Sequence, residues 1–295
     1  MQPLVAWLVA RPQNAVIALA ATLLLPVLQV FSGIFMVILI LKQGLRPALF
    51  AGAIAAALLA IVSLIASAPV VQVALSVLTV WVPAALLAVT VRSTRSLNLT
   101  MQVSALIAAA AVLFFHGIVD DLVDFWQPVM AFMIDWARES RLDDQVALIE
   151  AQPALVAHTL TIVLVLSSWS MYALYLLFGV RYAAAQPEET GKYGRFCDLN
   201  FGRVIALLVA FAALLAFASG MAWLQSVAIV LFAIFWLQGL AVVHWMFVDG
   251  KLPLFVVIVT YVLMPFLHVF MFLALGVVGY TDAWFRYRRR AAAQS

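Results

Sequence analysis

The chain has 295 residues, of which 67% are hydrophobic and only 10% are charged. Soluble domains carry about 25% charged residues, whereas apolar runs of roughly 20 residues are long enough to cross a bilayer. These values exclude a soluble globule and predict an integral membrane protein. The single cysteine, Cys197, excludes an intramolecular disulfide and a cysteine-based metal cluster. The opening stretch "MQPLVAWLVARPQN" is apolar before its first arginine, unlike a cleaved signal peptide, so we expect no cleavage.

Apolar runs follow one another along the chain. Lipid satisfies no backbone hydrogen bonds, and the runs lack the alternation of strands, so we predict that they are helices. The expected fold is all-α: a polytopic α-helical transmembrane bundle of about 8 to 10 membrane segments. The runs cover residues 15–41, 47–66, 70–91, 101–118, 156–180, 203–219, 221–246 and 252–280.

Two of these runs are expected to be broken. The run 252–280 would form a helix about 43 Å long at 1.5 Å per residue, against a hydrocarbon core of about 30 Å, and Pro265 lies near its middle. It must tilt, kink or fold back. The run 15–41 contains residues that could divide it into two short helices, namely Pro26, Gln29, Ser32 and Gly33.

Basic residues orient the chain, because cytoplasmic loops are enriched in Lys and Arg. The loops that carry Lys42 with Arg46 and Arg92 with Arg95 are therefore expected inside. Residues 119–155 carry eight acids against two arginines, which favours the outer face. A single span at 252–280 would place the basic tail outside, so we favour a broken or re-entrant last segment with a cytoplasmic C-terminus. The tail arginines are Arg286, Arg288, Arg289 and Arg290.

The acidic outer segment has the spacing of an amphipathic helix. One side carries apolar residues, and another side carries Asp124, Gln127 and Asp135. We predict that this helix lies on the membrane surface, and the alternative is a lid over a cavity. The apolar residues are Leu122, Phe125, Trp126, Val129, Met130 and Met133.

Motifs of catalysis or cofactor binding are not found in the sequence. There is no Gly-rich phosphate loop and no "HExxH", and the four histidines lie on different segments, so we expect no enzyme, no metal and no cofactor. His116 and Asp120 are four residues apart and could form a charge-assisted pair near the outer boundary. More often such a pair just ends a helix in the headgroup layer.

The polar residues inside the spans have two interpretations. Buried amides and hydroxyls in lipid need partners, so the first is hydrogen bonding between helices. The second is a neutral, aromatic-lined pocket for a small organic ligand. The candidate ligand-binding residues are Trp169, Tyr172, Gln238, His244 and His268.

Two stretches near the C-terminus resemble the YybS-like family of uncharacterised bacterial inner-membrane proteins. They are "WLQGLAVVHWMFVDGKLP", residues 236–253, and "ALGVVGYTDAWFRYRRR", residues 274–290. Asp282 and Arg286 are four apart, so we expect an ion pair at the end of a helix. The residues that match the family pattern are Leu237, Gln238, Gly239, His244, Gly279, Asp282, Trp284 and Arg286.

The stretch "LILKQGLRPALFAGAIAAALLAIV", from Leu39 to Val62, is similar to the substrate-binding components of energy-coupling-factor vitamin transporters. This similarity implies a helical core over residues 1–180 that includes the acidic outer loop 119–155. A cytoplasmic loop at 181–202 and a C-terminal part at 203–295, with transmembrane helices and the basic tail, would follow. The alanines of "AVIALAATLLL" lack the four-residue spacing by which the first helix of that family docks its coupling subunit.

We therefore expect a multi-pass protein of the bacterial inner membrane that binds a small organic molecule between its helices as part of transport. The alternative is a non-catalytic scaffold or assembly factor that holds partner proteins. The expected partners are the lipid bilayer and either a small-molecule ligand or a membrane protein. The net charge of +3 comes mainly from loop arginines that topology explains, so nucleic acid is not expected.

Overall fold

The computed structural model describes residues 2–184 and 192–288, and this part of the chain is helical, without strands. Seven helices are long and apolar enough to cross a membrane, or up to eight if the first two, which meet at 115°, form one span. The all-α prediction is confirmed, and the number of spans reaches the predicted 8 to 10 only if the first two helices form one span. The α-helices are α1 Gln2–Ala10, α2 Pro12–Leu24, α3 Gln29–Gln43, α4 Leu45–Ile65, α5 Val70–Ser76, α6 Val82–Thr94, α7 Leu97–Ile118, α8 Leu122–Glu139, α9 Asp143–Ala151, α10 Pro153–Ala183, α11 Gly202–Ser219, α12 Ala222–Val248, α13 Leu254–Phe266 and α14 His268–Phe285.

The chain forms two compact units. The first comprises Met1–Met101 and Trp169–Leu199, and the second comprises Gln102–Ser168 and Asn200–Ser295. The long helices α7 and α10 contribute to both, so the predicted core 1–180 supplies residues to each unit.

The first unit is built around α3, whose residues from Ser32 to Leu41 are all buried. The Ser32 hydroxyl accepts a hydrogen bond from Trp81 Nε1 at 2.8 Å and donates to the Leu19 carbonyl at 3.3 Å. Trp81 ends a π-helical turn, Val77–Trp81, which joins α5 to α6. A wider turn of this kind is frequent at functional sites, and here it places the indole against α3.

The run 15–41 is broken, as predicted. Leu25 is extended (φ −100°, ψ 116°) because the residue before a proline disfavours the α conformation. A short 3₁₀ turn, Pro26–Leu28, then leads into α3. Of the residues proposed for the break, Gln29, Ser32 and Gly33 lie within α3, so the proline marks it.

The second unit is built around α12, and α14 approaches it closely. A Cβ atom added to Gly239 would collide with the Leu275 carbonyl oxygen, and one added to Gly279 would collide with the Phe235 carbonyl oxygen. Only glycine permits such an approach of two backbones. A Cβ on Gly276 would make only an ordinary contact, 3.9 Å from the Phe232 carbonyl oxygen.

The last segment turns back on itself. Along the contact between α12 and α14 the residue numbers of both helices increase together, since Phe232 lies beside Gly276 and Phe235 lies beside Gly279. These two helices therefore run in the same direction. The chain must therefore run back between them, and α13 is the helix that does so. Its 13 residues are about 20 Å long, which is too short to cross the hydrocarbon core of a bilayer.

The break in this segment is at Leu267, which separates α13 from α14. Pro265, the residue predicted to break it, lies two positions earlier, inside the last turn of α13. Proline lacks the N–H that would continue the helical hydrogen bonds, and α13 ends one residue after it, at Phe266.

The end of α14 lies beside the beginning of α11. Arg203, the second residue of α11, donates to the Trp284 carbonyl at 3.2 Å, and the Tyr280 hydroxyl donates to the Ala206 carbonyl at 3.3 Å. A broken last segment is thus confirmed, and the chain returns to the side at which α11 begins. That this side is cytoplasmic stays a prediction, and Arg289 and Arg290 lie outside the described residues.

The acidic segment at 119–155 contains α8 and α9, so the prediction of a helix from its spacing is confirmed. The Asp121 carboxylate caps α8 by accepting from the Val123 N–H at 2.7 Å, as expected of an N-cap aspartate. Phe132 and Trp136 are 71% and 54% exposed, whereas Met130 is buried. Whether α8 lies on a membrane surface or covers a cavity stays a prediction.

Candidate functional site

A buried polar cluster joins three segments of the second unit. Gln238, in the middle of α12, is fully buried. Its Oε1 accepts a hydrogen bond from the Phe201 backbone N–H at 2.7 Å, and its Nε2 donates to Asp282 Oδ2 at 2.8 Å. The N–H of Phe201 precedes α11 and has no carbonyl of that helix to bond to, so the amide of Gln238 satisfies it. Both ends of the Gln238 side chain are therefore engaged within the protein.

The carboxylate of Asp282 is the centre of this cluster. It is fully buried, and its Oδ2 also accepts from Arg288 Nη2 at 2.7 Å. A buried carboxylate needs such a partner, because desolvation of an unpaired charge is costly. The other oxygen, Oδ1, has no hydrogen-bond partner among the described residues.

The predicted ion pair named the wrong arginine. Asp282 pairs with Arg288, whereas Arg286 contributes its backbone N–H, which donates to the Asp282 carbonyl at 2.8 Å. Arg286 adopts a left-handed conformation (φ 52°) and ends α14. The four-residue spacing brings side chains together only within a helix, and here the chain turns after Phe285, so Arg288 reaches the carboxylate instead.

His244, the second polar candidate on α12, has a different partner. Its Nδ1 lies 2.9 Å from the Leu240 carbonyl and therefore carries the proton, so Nε2 accepts from the Tyr261 hydroxyl at 3.2 Å. This bond connects α12 to α13. His268 is exposed at the first turn of α14. Gln238, His244 and His268 thus have three different environments, and the interhelical interpretation describes Gln238 and His244 well.

The two aromatic candidates lie on α10, in the first unit. Trp169 is buried, at 4% exposure, and Tyr172 lies with its ring 6.0 Å from that of Tyr175. The Tyr175 ring covers Gly33 of α3 so closely that a Cβ there would overlap it. Tyr175 therefore packs α10 against α3.

His116 has a different partner from Asp120, the one considered from the spacing. Its Nε2 lies 3.2 Å from His158 Nδ1, and its Nδ1 lies 3.0 Å from the Val112 carbonyl, so the pair is His116 with His158 rather than His116 with Asp120. These two histidines are 42 positions apart in sequence, and α7 and α10 bring them together. Nearby, Trp126 Nε1 donates to the Thr161 hydroxyl at 2.9 Å, which fixes α8 to α10.

A cleft in the first unit has no counterpart in the sequence-based predictions. It has a volume of about 480 Å³ and is enclosed by α3, α4, the π-helical turn and α6. Met36 and Trp81 are buried on its inner side, and a Cβ added to Gly52 would lie 3.2 Å from Met36 Cε. The remaining lining residues are Leu45, Leu49, Ala53, Ala56, Val77, Val82, Ala85, Leu86 and Val89.

The lining of the cleft is apolar throughout. The one polar group of the lining side chains, the indole N–H of Trp81, is already bonded to Ser32, so the indole presents only its ring. Leu49 and Leu86, at the rim, are exposed, as expected of residues that face lipid. In the sequence, the small residues of "AGAIAAALLA" on α4 were an indication of this cleft, but such residues also allow helices to pack closely.

One family model matches the chain. It covers residues 14–283 and is described as a predicted membrane protein family, DUF2232. No curated protein and no solved structure matches. The match spans nearly all of the helices described above, and the chain therefore belongs to the family of predicted membrane proteins DUF2232.

Proposed function

We propose that this protein binds a small apolar or amphiphilic organic molecule in the cleft between α4 and α6, as part of a transport process in the bacterial inner membrane. The observation that carries the proposal is the cleft itself. Its volume of about 480 Å³ lies in the range of ligand sites, about 300–1,000 Å³.

The chemistry of the lining sets the chemistry of the ligand. A polar group placed in this cleft would lose its hydrogen bonds to water without gaining others, which costs free energy. The part of the ligand that enters must therefore be apolar. Because Leu49 and Leu86 are exposed at the rim, such a molecule can enter laterally from the bilayer.

The proposed role is non-catalytic. The lining residues include no acid, no base and no nucleophile, so the cleft offers no groups for acid–base or covalent chemistry. The buried cluster of Gln238, Asp282 and Arg288 serves in this proposal to hold the second unit together, because its side chains are engaged with each other.

A substitution that fills the cleft tests the proposal. Ala53 lines the cleft and is exposed, so Ala53→Phe should occupy the space without disturbing the buried residues. Ala57, one turn further on α4, is exposed and does not line the cleft, so Ala57→Phe is the matched control.

The measurement is mass spectrometry of organic extracts from protein purified in a mild detergent. We expect a small organic molecule to be retained by the wild type and by Ala57→Phe and to be lost from Ala53→Phe. Equal retention by all three proteins would remove the cleft as the binding site.

A second candidate function is a scaffold that docks a transmembrane helix of a partner protein in the same cleft. The observation that favours it is the row of small residues Gly52, Ala53 and Ala56 on α4, since small residues allow helices to approach closely in membranes. Under this function a stoichiometric protein, rather than a small molecule, would be lost from Ala53→Phe and kept by Ala57→Phe.

A further inference from the structure

The first 119 residues contain five basic residues and no acidic ones. Asp120 is the first carboxylate of the chain. Arg46, Arg92 and Arg95 are exposed and lie at the ends of α4 and α6, the two helices that flank the cleft. These positive charges lie on helices whose own sequences carry no negative charge, and an anion is the ligand that such an arrangement attracts.

Arg92 lies at one end of the cleft. A Cβ added to Gly44 would lie 3.0 Å from Arg92 Nη1, and the next residue, Leu45, lines the cleft. Arg92 also follows Val89, another lining residue, by three positions, which is the spacing of one helical face. One N–H of the guanidinium donates to the Ile40 carbonyl, and this bond holds the group at the cleft end.

The cleft has the length of one lipid leaflet. Its lining on α4 extends from Leu45 to Ala56, which is about 17 Å at 1.5 Å per residue. Half of a hydrocarbon core of about 30 Å is about 15 Å. A site that starts at a guanidinium and continues as an apolar cleft of this length fits a molecule with an anionic head and one hydrocarbon chain.

We propose that the cleft binds one acyl chain of an anionic phospholipid whose phosphate group is held by Arg92 and Arg46. This inference rests on the proposed function and names its ligand class. The acyl chain gains little free energy when it moves from the bilayer into the cleft, because lipid tails are as apolar as the cleft. Selectivity therefore comes from the head group, through charge-assisted hydrogen bonds between guanidinium and phosphate.

The test compares two lipids that differ only in the head group. Delipidated full-length protein is titrated with dioleoyl phosphatidylglycerol and with dioleoyl phosphatidylcholine, and bound lipid is counted by native mass spectrometry. Each basic residue near a membrane surface contributes a factor of about fivefold to the binding of anionic lipid. We expect at least this preference for phosphatidylglycerol in the wild type.

Substitutions of Arg46 and Arg92 then test the role of the two arginines. Arg46→Gln and Arg92→Gln should each reduce the preference about fivefold, whereas Arg92→Lys should retain part of it. Arg138→Gln is the control, because Arg138 pairs with Glu150 on the outer segment and should leave the preference unchanged. If Arg92→Gln does not fold, since it loses the bond to Ile40, Arg46→Gln still decides the matter.

The outcomes separate the two proposals. If both lipids bind equally and both are lost from Ala53→Phe, the anionic ligand class is wrong and the apolar binding site stands. If the preference for phosphatidylglycerol survives in Arg46→Gln and in a folded Arg92→Gln, the inference is likewise overturned. If neither lipid binding nor retention of any small molecule responds to Ala53→Phe, the proposed function itself fails.

Discussion

The two units of the molecule are each built around one buried helix, but they use polarity in opposite ways. In the first unit α3 buries ten successive residues, and the polar side chain among these ten is that of Ser32, whose hydroxyl holds Trp81. In the second unit α12 packs directly against the backbone of α14 and adds an amide, a carboxylate and a guanidinium. These three groups belong to Gln238, Asp282 and Arg288.

This difference indicates a division of roles. Buried charged groups that pair with each other hold the segments that carry them together, and removal of one partner is costly, so they suit a part that must not move. An apolar cleft fixes no orientation and is cheap to occupy in a membrane, because lipid tails can fill it. We therefore expect the second unit to be sensitive to substitution and the first to tolerate exchange of its occupant.

The largest expected effect is at the glycine crossing of the second unit. Gly279→Leu would place a side chain into the Phe235 carbonyl, and α12 and α14 would have to separate. The expected loss of stability is about 4 kcal/mol or more, seen as loss of monodisperse protein in detergent and a large fall in the thermal midpoint.

The control for this substitution is Gly117→Leu. Gly117 lies in the last turn of α7 with nothing within 4 Å of an added Cβ, so it should remain folded with a thermal midpoint close to that of the wild type. Similar behaviour of the two variants would show that the crossing of α12 and α14 is not closely packed.

The second prediction concerns the charge cluster. Arg288→Gln leaves the Asp282 carboxylate buried without its counter-charge, and removal of one partner from a buried pair costs about 3–5 kcal/mol. Thermal unfolding in detergent measures this loss. Arg286→Gln is the matched comparison, because Arg286 contacts Asp282 through its backbone and should lose much less stability. The reverse ranking of the two arginines would contradict the observed pairing.

The positions of the helices could be predicted from the sequence because their signals are local. Long apolar runs predicted the spans, and Pro26 predicted the break before α3. The spacing of Leu122, Phe125 and Trp126 gave α8. Hydropathy and proline act within a few residues, so no knowledge of the packing was needed.

The partners within the candidate site could not be predicted in this way. Arg286 was chosen because helical spacing was extended past Phe285, where the helix ends. His116 meets His158, which is 42 residues away in sequence. The cleft forms because particular faces of α4 and α6 lie beside α3. Small residues in the sequence do not show which faces these are. One signal was readable from the start, namely the complete lack of acids before Asp120.

The smallest of the three effects is expected in the first unit. Ser32→Ala removes the hydroxyl that accepts from Trp81 Nε1 at 2.8 Å. A buried donor without an acceptor costs about 1–3 kcal/mol, which the thermal midpoint in detergent should report. Ser93→Ala is the control, because its exposed hydroxyl bonds only within its own helix, to the Thr90 carbonyl, and should change stability by less than about 0.5 kcal/mol.

The same substitution also separates stability from binding. Trp81 lines the cleft, so loss of its hydrogen bond frees the indole to rotate into the space. We expect Ser32→Ala to retain less of the bound molecule than Ser93→Ala while it remains folded. If the two variants retain equal amounts, the ring is held by packing against Gly52, and the hydroxyl of Ser32 then serves only to satisfy the buried indole N–H.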